Sequence, residues 1–412
     1  MTVVKRHRCG LLSHRAISAV AKNAAIGGLL IVGIGCQQGP VAPAHKPTST
    51  ASAKASALSA CPSTAAPGGP QVLLHDLPAP DDLAFDNDGR LLFSDNKAGT
   101  VSALRADGSV ERIAGGMSAP EGIVVQADGH ILVAEQGRNR VVAIDPRTHA
   151  VSQWRAFLNR TGRDGIDGIG PVLPDRDASG NLLPTGGDVI VPDSPNGVVW
   201  RVSADGKTAT QIASGMVRPV GAALGASGRI LVADEGGALW VLEPARLRFA
   251  TLPAPDDVVV SRAGHVFVNT LGDNAIHELD PRGHQLSVIS GIQQPQGIAL
   301  DGADNLYYTE FTTGRIFRVV RTFALDSPTV SRTAGGTFVV CPVIRRARAF
   351  NRSLALSTGS SLATSILGLV QPGTDSSGAL EVQTLEPTIT IGISAIGDGD
   401  NLGLSQIVHL TP

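Results

Sequence analysis

Aromatic side chains are scarce in this chain: Phe, Tyr and Trp together make up 4% of its 412 residues, and methionine occurs three times. A core built on large rings is therefore excluded, and the 42% hydrophobic content has to work through Val, Ile, Leu and Ala. Charge is also low, at 17%, which leaves too little for long solvated helices or a coiled coil. The formal net charge of -2 lacks the basic excess of a nucleic-acid binder. HExxH, G-x-S-x-G, P-loop and paired CxxC patterns are absent, which removes the commonest zinc, serine-hydrolase, nucleotide and redox chemistries. What the chain has in quantity is Gly (48) and Pro (26), without a G-x-y period, so it is rich in turns but not collagenous. Its length exceeds one ordinary core and predicts one large domain with appendages, or two domains.

Residues 1–35 read as an export signal. Lys5, Arg6, Arg8, Arg15 and Lys22 precede an apolar run from Ala24 to Gly35, too short to span a bilayer comfortably. The run ends in GIGC, which resembles a bacterial lipobox and implies lipidation at Cys36, although Gly33 stands where Leu is usual; an uncleaved anchor and ordinary secretion are the alternatives. Either export route puts the chain on the extracytoplasmic side, lipid-anchored at the cell membrane or secreted, with the membrane touched only through the anchor. Removing these residues, with five basic and no acidic side chains, shifts the formal charge from -2 to about -7. Residues 36–70 are rich in Ala, Pro, Ser and Thr and contain no Asp or Glu, which predicts a disordered tether spanning about 30 Å. With Cys9 lost and Cys36 lipidated, Cys61 and Cys341 remain as a disulfide pair, or as two free thiols.

Residues 71–325 repeat. APDDLAFDNDGRLLFSDNKAGTVSAL from Ala79 recurs as related segments from Ala119, Arg218, Ala254 and Gln294, and an interrupted copy starts with IDGIGPV at Ile166 and resumes at Asp188. The starts lie about 36 to 53 residues apart, the length of a four-stranded propeller blade. No blade can cover both its faces alone, so six stacked around an axis build the core from small aliphatic side chains. QVLLH from Gln71 looks like a fourth strand without a preceding blade, and is expected to close the ring. These units resemble NHL repeats and the blades of the gluconolactonase/regucalcin-like superfamily. The resemblance implies an all-β, six-bladed β-propeller, a fold that hosts lactonases, phosphotriesterases, lyases and non-catalytic binding modules.

Asp95, Glu135, Asp193, Asp234, Asn269 and Glu310 follow the second strand of each unit. One active site needs no six copies, so they are expected to accept hydrogen bonds from turns. Asp88-Gly89 and Asp128-Gly129 read as hairpin turns. The position after the first Pro varies: Asp81, Glu121, Asp167, Val220, Asp256 and Gln296. The resemblance places this ring at one mouth of the channel, where lactonase-like members hold a catalytic calcium ion. Asp81, Glu121, Asp167 and Asp256 are thus the expected metal ligands; clustered carboxylates need a cation or protons, and oxygen ligands favour Ca2+ or Mg2+. Val220 departs from the family's ligating Asn. The competing expectation is that Asp81 and Asp256 cap the turn, like Asp82 and Asp257 beside them. Streptogramin lyases have similar blades, but none of His130, His265 and His277 matches a general base at the mouth.

An insertion from about Asn159 to Gly187 carries DRDASGN, with Asp175, Asp177 and Ser179 at calcium-loop spacing but Gly186 where an EF-hand needs Glu; the loop is expected to cover one mouth. Residues 326–412 alternate in TFVVCPV, ALEVQTL, TITIGISAI and SQIVHL, which predicts a β-rich extension or small β-sandwich. Arg345, Arg346, Arg348 and Arg352 are expected on a solvated strand face. Two functions follow. One is a non-catalytic propeller that binds an extracytoplasmic ligand, polysaccharide or protein at the mouth and the insertion; the other is a Ca2+-dependent lactonase- or phosphotriesterase-like hydrolase.

Overall fold

The computed structural model describes residues 52–55, 63–174, 187–225, 228–242, 245–360, 363–370, 380–383, 387–397 and 401–410. Lipidation at Cys36, the calcium-like segment at Asp175 and Asp177, and Cys61 lie outside them. Cys341, on the strand Phe338–Arg346, is disulfide-bonded.

Six blades form the large body, and alternation in the sequence becomes strand pairing in each. Blade 1 pairs Pro80–Phe85, Leu91–Asp95, Thr100–Leu104 and Val110–Gly115 in antiparallel order, and blades 2, 4 and 5 repeat the scheme. In blade 3 the interrupted first strand is irregular. Its Gly170 and Pro171 bond Ile190, and Val172 bridges Val189, so the segment occupies the innermost place beside Val189–Asp193. Blade 6 consists of Ile298–Leu300, Leu306–Glu310, Arg315–Val319 and, from the other end of the propeller sequence, Gln71–Leu74. QVLLH therefore closes the ring as expected, through Val72 opposite Phe317.

The core confirms the stacking. Six hydrophobic clusters each span one pair of neighbouring blades: Leu92 and Val101 of blade 1 meet Ile123 and Val133 of blade 2, and Phe93 meets Ala299 and Ile316 across the closure. Val, Ile, Leu and Ala dominate these layers, which is how a chain poor in aromatic residues fills its interior.

Residues after the propeller form two sheets. Phe338–Arg346 pairs with Phe323–Arg332 and with Leu380–Gln383, while Leu354–Ser360 and Thr388–Ala395 pair centrally in a second four-stranded sheet ending in Gly403–His409. Val340 and Val382 of the first sheet bury against Leu356, Ile389, Ile391 and Val408 of the second, a small β-sandwich. Part of the expected tether belongs to it. Ser52–Ala55 and Ser63–Ala65 add as strands at its first sheet, where backbone pairing supplies hydrogen bonds that the Ala/Ser composition did not advertise. Two of the four arginines differ from expectation: Arg346 is buried and donates to the Arg352 carbonyl, and Arg345 pairs with Asp326, while Arg348 is exposed.

Candidate functional site at the channel mouth

In blades 1, 2, 4 and 5 the first strand carries a register shift just after its Pro, between Pro80 and Leu83, Pro120 and Ile123, Pro219 and Ala222, and Pro255 and Val258. A bulge frees residues from the ladder and re-aims their side chains. That local feature turns Asp81, Glu121 and Asp256 toward the mouth, and Asp167 joins them from the irregular segment of blade 3, where its carbonyl accepts a hydrogen bond from Gly122. Ala119 and Ala254, each just before a Pro, adopt positive φ as the chain enters the bulge, and Gln294 does the same before the Pro of blade 6.

The four expected residues are thus brought together, and burial with mutual repulsion dominates their electrostatics. Burial first, then Asp167, Asp257 and Asp95, hold the Asp81 carboxyl well above the ordinary carboxylate range. Burial followed by Asp167 and Asp81 does the same to Glu121, whose carboxyl shares a hydrogen bond with Asp167. Asp256 is raised by burial, then by Asp167 and Glu235.

Sequence reasoning missed two further pieces. The first is Arg218, one residue before the blade-4 Pro. Its guanidinium bonds Asp167 and, at 3.0 Å, Glu235, so the mouth carries its own cation. The second is the pair Asp82 and Asp257, expected only as turn caps. Each does accept from the next residue's amide, Leu83 and Val258, at 2.7 Å. Each also reaches the following blade, Asp82 to the Ile123 amide at 2.6 Å and Asp257 to the Ile298 amide at 3.2 Å. The two carboxyls then hydrogen-bond one another across the channel; burial above all pushes Asp257 up to about 7, and Asp82 is raised well above its ordinary value. The pair titrates as a unit that shares a proton.

Two of the four expected metal ligands are already engaged by donors of the protein. Asn96 and Gln136 donate to the two oxygens of Glu121 at 2.7 and 2.6 Å, and Arg218 holds Asp167. Val220 offers only an apolar side chain, buried in the ring. Among the described residues no group of three or more His, Cys, Asp or Glu side chains is arranged to hold a metal ion. Asp81 is the exception to this internal satisfaction. It is 7% exposed, and its carboxylate accepts no hydrogen bond from a described residue.

The repeated acidic positions behave as expected. Asp95 accepts from Ala98, Glu135 from Ser118, Asp234 from Val217 and Arg218, and Glu310 from Gln293, while Asp193 bonds Asn196 and Trp200. Asn269 adds a ring contact, donating to Asp256 at 3.2 Å. The histidines stay away from the mouth: His130 lies beside Asp128, His265 beside Glu278, and His277 beside Asp273 and Gln285.

No family model matches the chain, and no curated protein does. Solved structures do. The chain is similar to a candidate gluconolactonase at 16% identity and TM-score 0.50, over 63% of this chain and 97% of that one. It is similar to a calcium-binding protein, regucalcin, from Agrobacterium tumefaciens at 14% and 0.50, over 62% and 95%. A streptogramin B lyase aligns at 14% identity and TM-score 0.47, over 61% and 96%. These likenesses, at 14 to 16% identity, agree with the strand order in giving the chain the fold of a six-bladed β-propeller.

Proposed function

We propose that the chain is an exported, lipid-anchored propeller that binds a small ligand at the channel mouth without catalysing its conversion, and that the ligand presents a cationic or strongly hydrogen-bond-donating group. The observation that carries this reading is Asp81, a buried carboxyl that accepts no hydrogen bond from a described residue, beside Glu121 and Asp167, which Asn96, Gln136 and Arg218 hold. A donor group arriving there draws Asp81 toward its ionised form and releases a proton, because like charges and burial hold that proton in the free protein. Calorimetry with a panel of primary amines and polyamines at pH 6 and 8, in buffers of different ionisation heat, tests it. Binding that is coupled to proton release and lost in Asp81→Asn supports the proposal.

A second reading is a Ca2+-dependent lactonase- or phosphotriesterase-like hydrolase. Asp81 and Asp256 favour it, being the least engaged of the four carboxylates: among the described residues the one side-chain donor to either is Asn269, to Asp256 at 3.2 Å. Elemental analysis of purified protein, with turnover of lactones and phosphotriesters measured before and after chelation, separates the two. Bound calcium with chelator-sensitive turnover establishes the hydrolase and refutes the first reading.

A further inference from the structure

The mouth residues begin the innermost strands; at the opposite ends of those strands lies a second cavity of about 960 Å³. Its walls are the far ends of blades 1 and 6 and the facing edge of the β-sandwich. Backbone and side-chain bonds clamp the two bodies beside it: Gly403 donates to Gly302 at 2.8 Å, and Ser327 and Gln406 both donate to the Ala106 carbonyl. The volume falls at the upper end of small-molecule sites.

The lining is polar in a particular way. Asp326 sits between two guanidiniums, Arg318 at 2.7 Å and Arg345, and Glu111 sits between Arg90 at 3.1 Å and Arg105 at 3.2 Å. Four arginines therefore face the carboxylates of Asp88, Asp107, Glu111, Asp301 and Asp326, which leaves the cavity close to neutral overall. A ligand of strong net charge of either sign gains little from such a wall. Donors and acceptors instead stand side by side, beside an apolar surface from Leu325, Leu404 and the edge-packed pair Phe85 and Tyr307, with centroids 5.1 Å apart.

Among the described residues, two buried polar atoms behind the lining have no hydrogen-bond partner: Nε of Arg318, a donor, and Oε1 of Gln406, an acceptor. Unpaired groups of both kinds at one cavity wall are rare in folded proteins. A hydroxyl suits the mixed guanidinium and carboxylate wall, since it donates one hydrogen bond and accepts two. Hydroxyls arrayed on a carbon ring also match the alternation of guanidinium and carboxylate, while the ring's C–H faces suit the apolar wall.

We propose that this cavity is a second binding site, separate from the channel mouth, and that it takes a neutral short saccharide. Saturation-transfer NMR on the intact chain with cellotriose, maltotriose and chitotriose tests it, with hydrogen exchange of the unmutated protein to locate the ligand. The expected result is binding of at least one trisaccharide with added protection in 104–108 and 404–407. Arg345→Gln and Gln406→Ala each weaken it by about tenfold, the size of one hydrogen bond to a charged or buried group. Failure of all three sugars to bind overturns the proposal. So does binding that protects 80–82 and 255–257 instead, or that is indifferent to both substitutions in folded variants. Because exchange is read on the unmutated chain, the location is decided even where a variant does not fold. The amine experiments at Asp81 are independent of this result.

Discussion

The shared proton between Asp82 and Asp257 gives the propeller a pH dependence that one substitution should remove. Asp257 has a folded value of about 7 against an ordinary 3.8, with burial as the leading cause. The folded state therefore binds this proton more tightly than the unfolded chain does. Its contribution is fully present below about pH 4, is lost as the pH rises through 7, and is constant above that. A gap of about three units corresponds to about 4 kcal/mol for an isolated group; sharing the proton with Asp82 reduces the part assignable to Asp257 to about 2 kcal/mol. Asp257→Asn removes the titration but keeps one of the two acceptors now serving Val258 and Ile298, at a cost of about 1 kcal/mol. The variant should thus be less stable than the parent by about 1 kcal/mol at pH 4.5 and more stable by about 1 kcal/mol at pH 8. Urea unfolding at the two pH values reads this crossing directly. Equal offsets at both would refute the proton-sharing pair, and so would a variant whose deficit grows with pH.

Two further outcomes follow from the same ring. Arg218→Met leaves Asp167 and Glu235 without their cation. Their side chains are 14% and 25% exposed, so a loss of about 2 kcal/mol at pH 8 is expected, shrinking toward pH 5 as Glu235, whose carboxyl burial holds above its ordinary value, protonates. Millimolar Ca2+ should raise the melting temperature of this variant more than that of the parent, and equal shifts in thermal melts would show that the guanidinium does not hold the place of a cation. Gly122→Ala drives a Cβ to 2.6 Å from the Ile169 nitrogen and 2.7 Å from the Gly168 Cα, backbone that cannot step aside. A loss of about 2 to 3 kcal/mol is expected in chemical denaturation, while Gly69→Ala, with open space around it, should leave the midpoint unchanged.

The ring was legible because each blade repeats one short local pattern: a Pro, a bulge, an alternating strand, a Gly turn. Even the closing strand announced itself, since QVLLH has the fourth-strand pattern and nothing before it to pair with. The sandwich was legible strand by strand. TFVVCPV, TITIGISAI and SQIVHL each lie within a strand over all but one residue. Their pairing was not, because partner choice depends on surfaces distant in sequence. Ser52–Ala55 shows the extreme case, a strand whose side chains carry almost no apolar signal and whose place is set by backbone bonds to Leu380–Gln383.

At the mouth, the ring of varying residues could be picked out in sequence, but what neutralises it could not, and the reason lies one residue further on. After the ring residue stand Asp82, Gly122, Gly168, Gly221, Asp257 and Gly297, in blade order. The glycines are forced by contact: a Cβ on Gly221 would meet Asp257, and one on Gly297 would meet Asp82. Each aspartate is followed around the ring by a blade with glycine at this position, and bonds the amide just after that glycine, Ile123 or Ile298. The clearance comes from the other side: the blade before each aspartate, carrying Gly297 or Gly221, is the one whose Cβ would meet it. The two aspartates are thus permitted by glycines that lie 36 residues before Asp257 and 215 residues after Asp82 in the chain. Within its own blade either aspartate looks like a turn cap, which it also is. Only closure of the ring brings the two carboxyls into contact, converting two local caps into one proton-sharing pair beneath the candidate site.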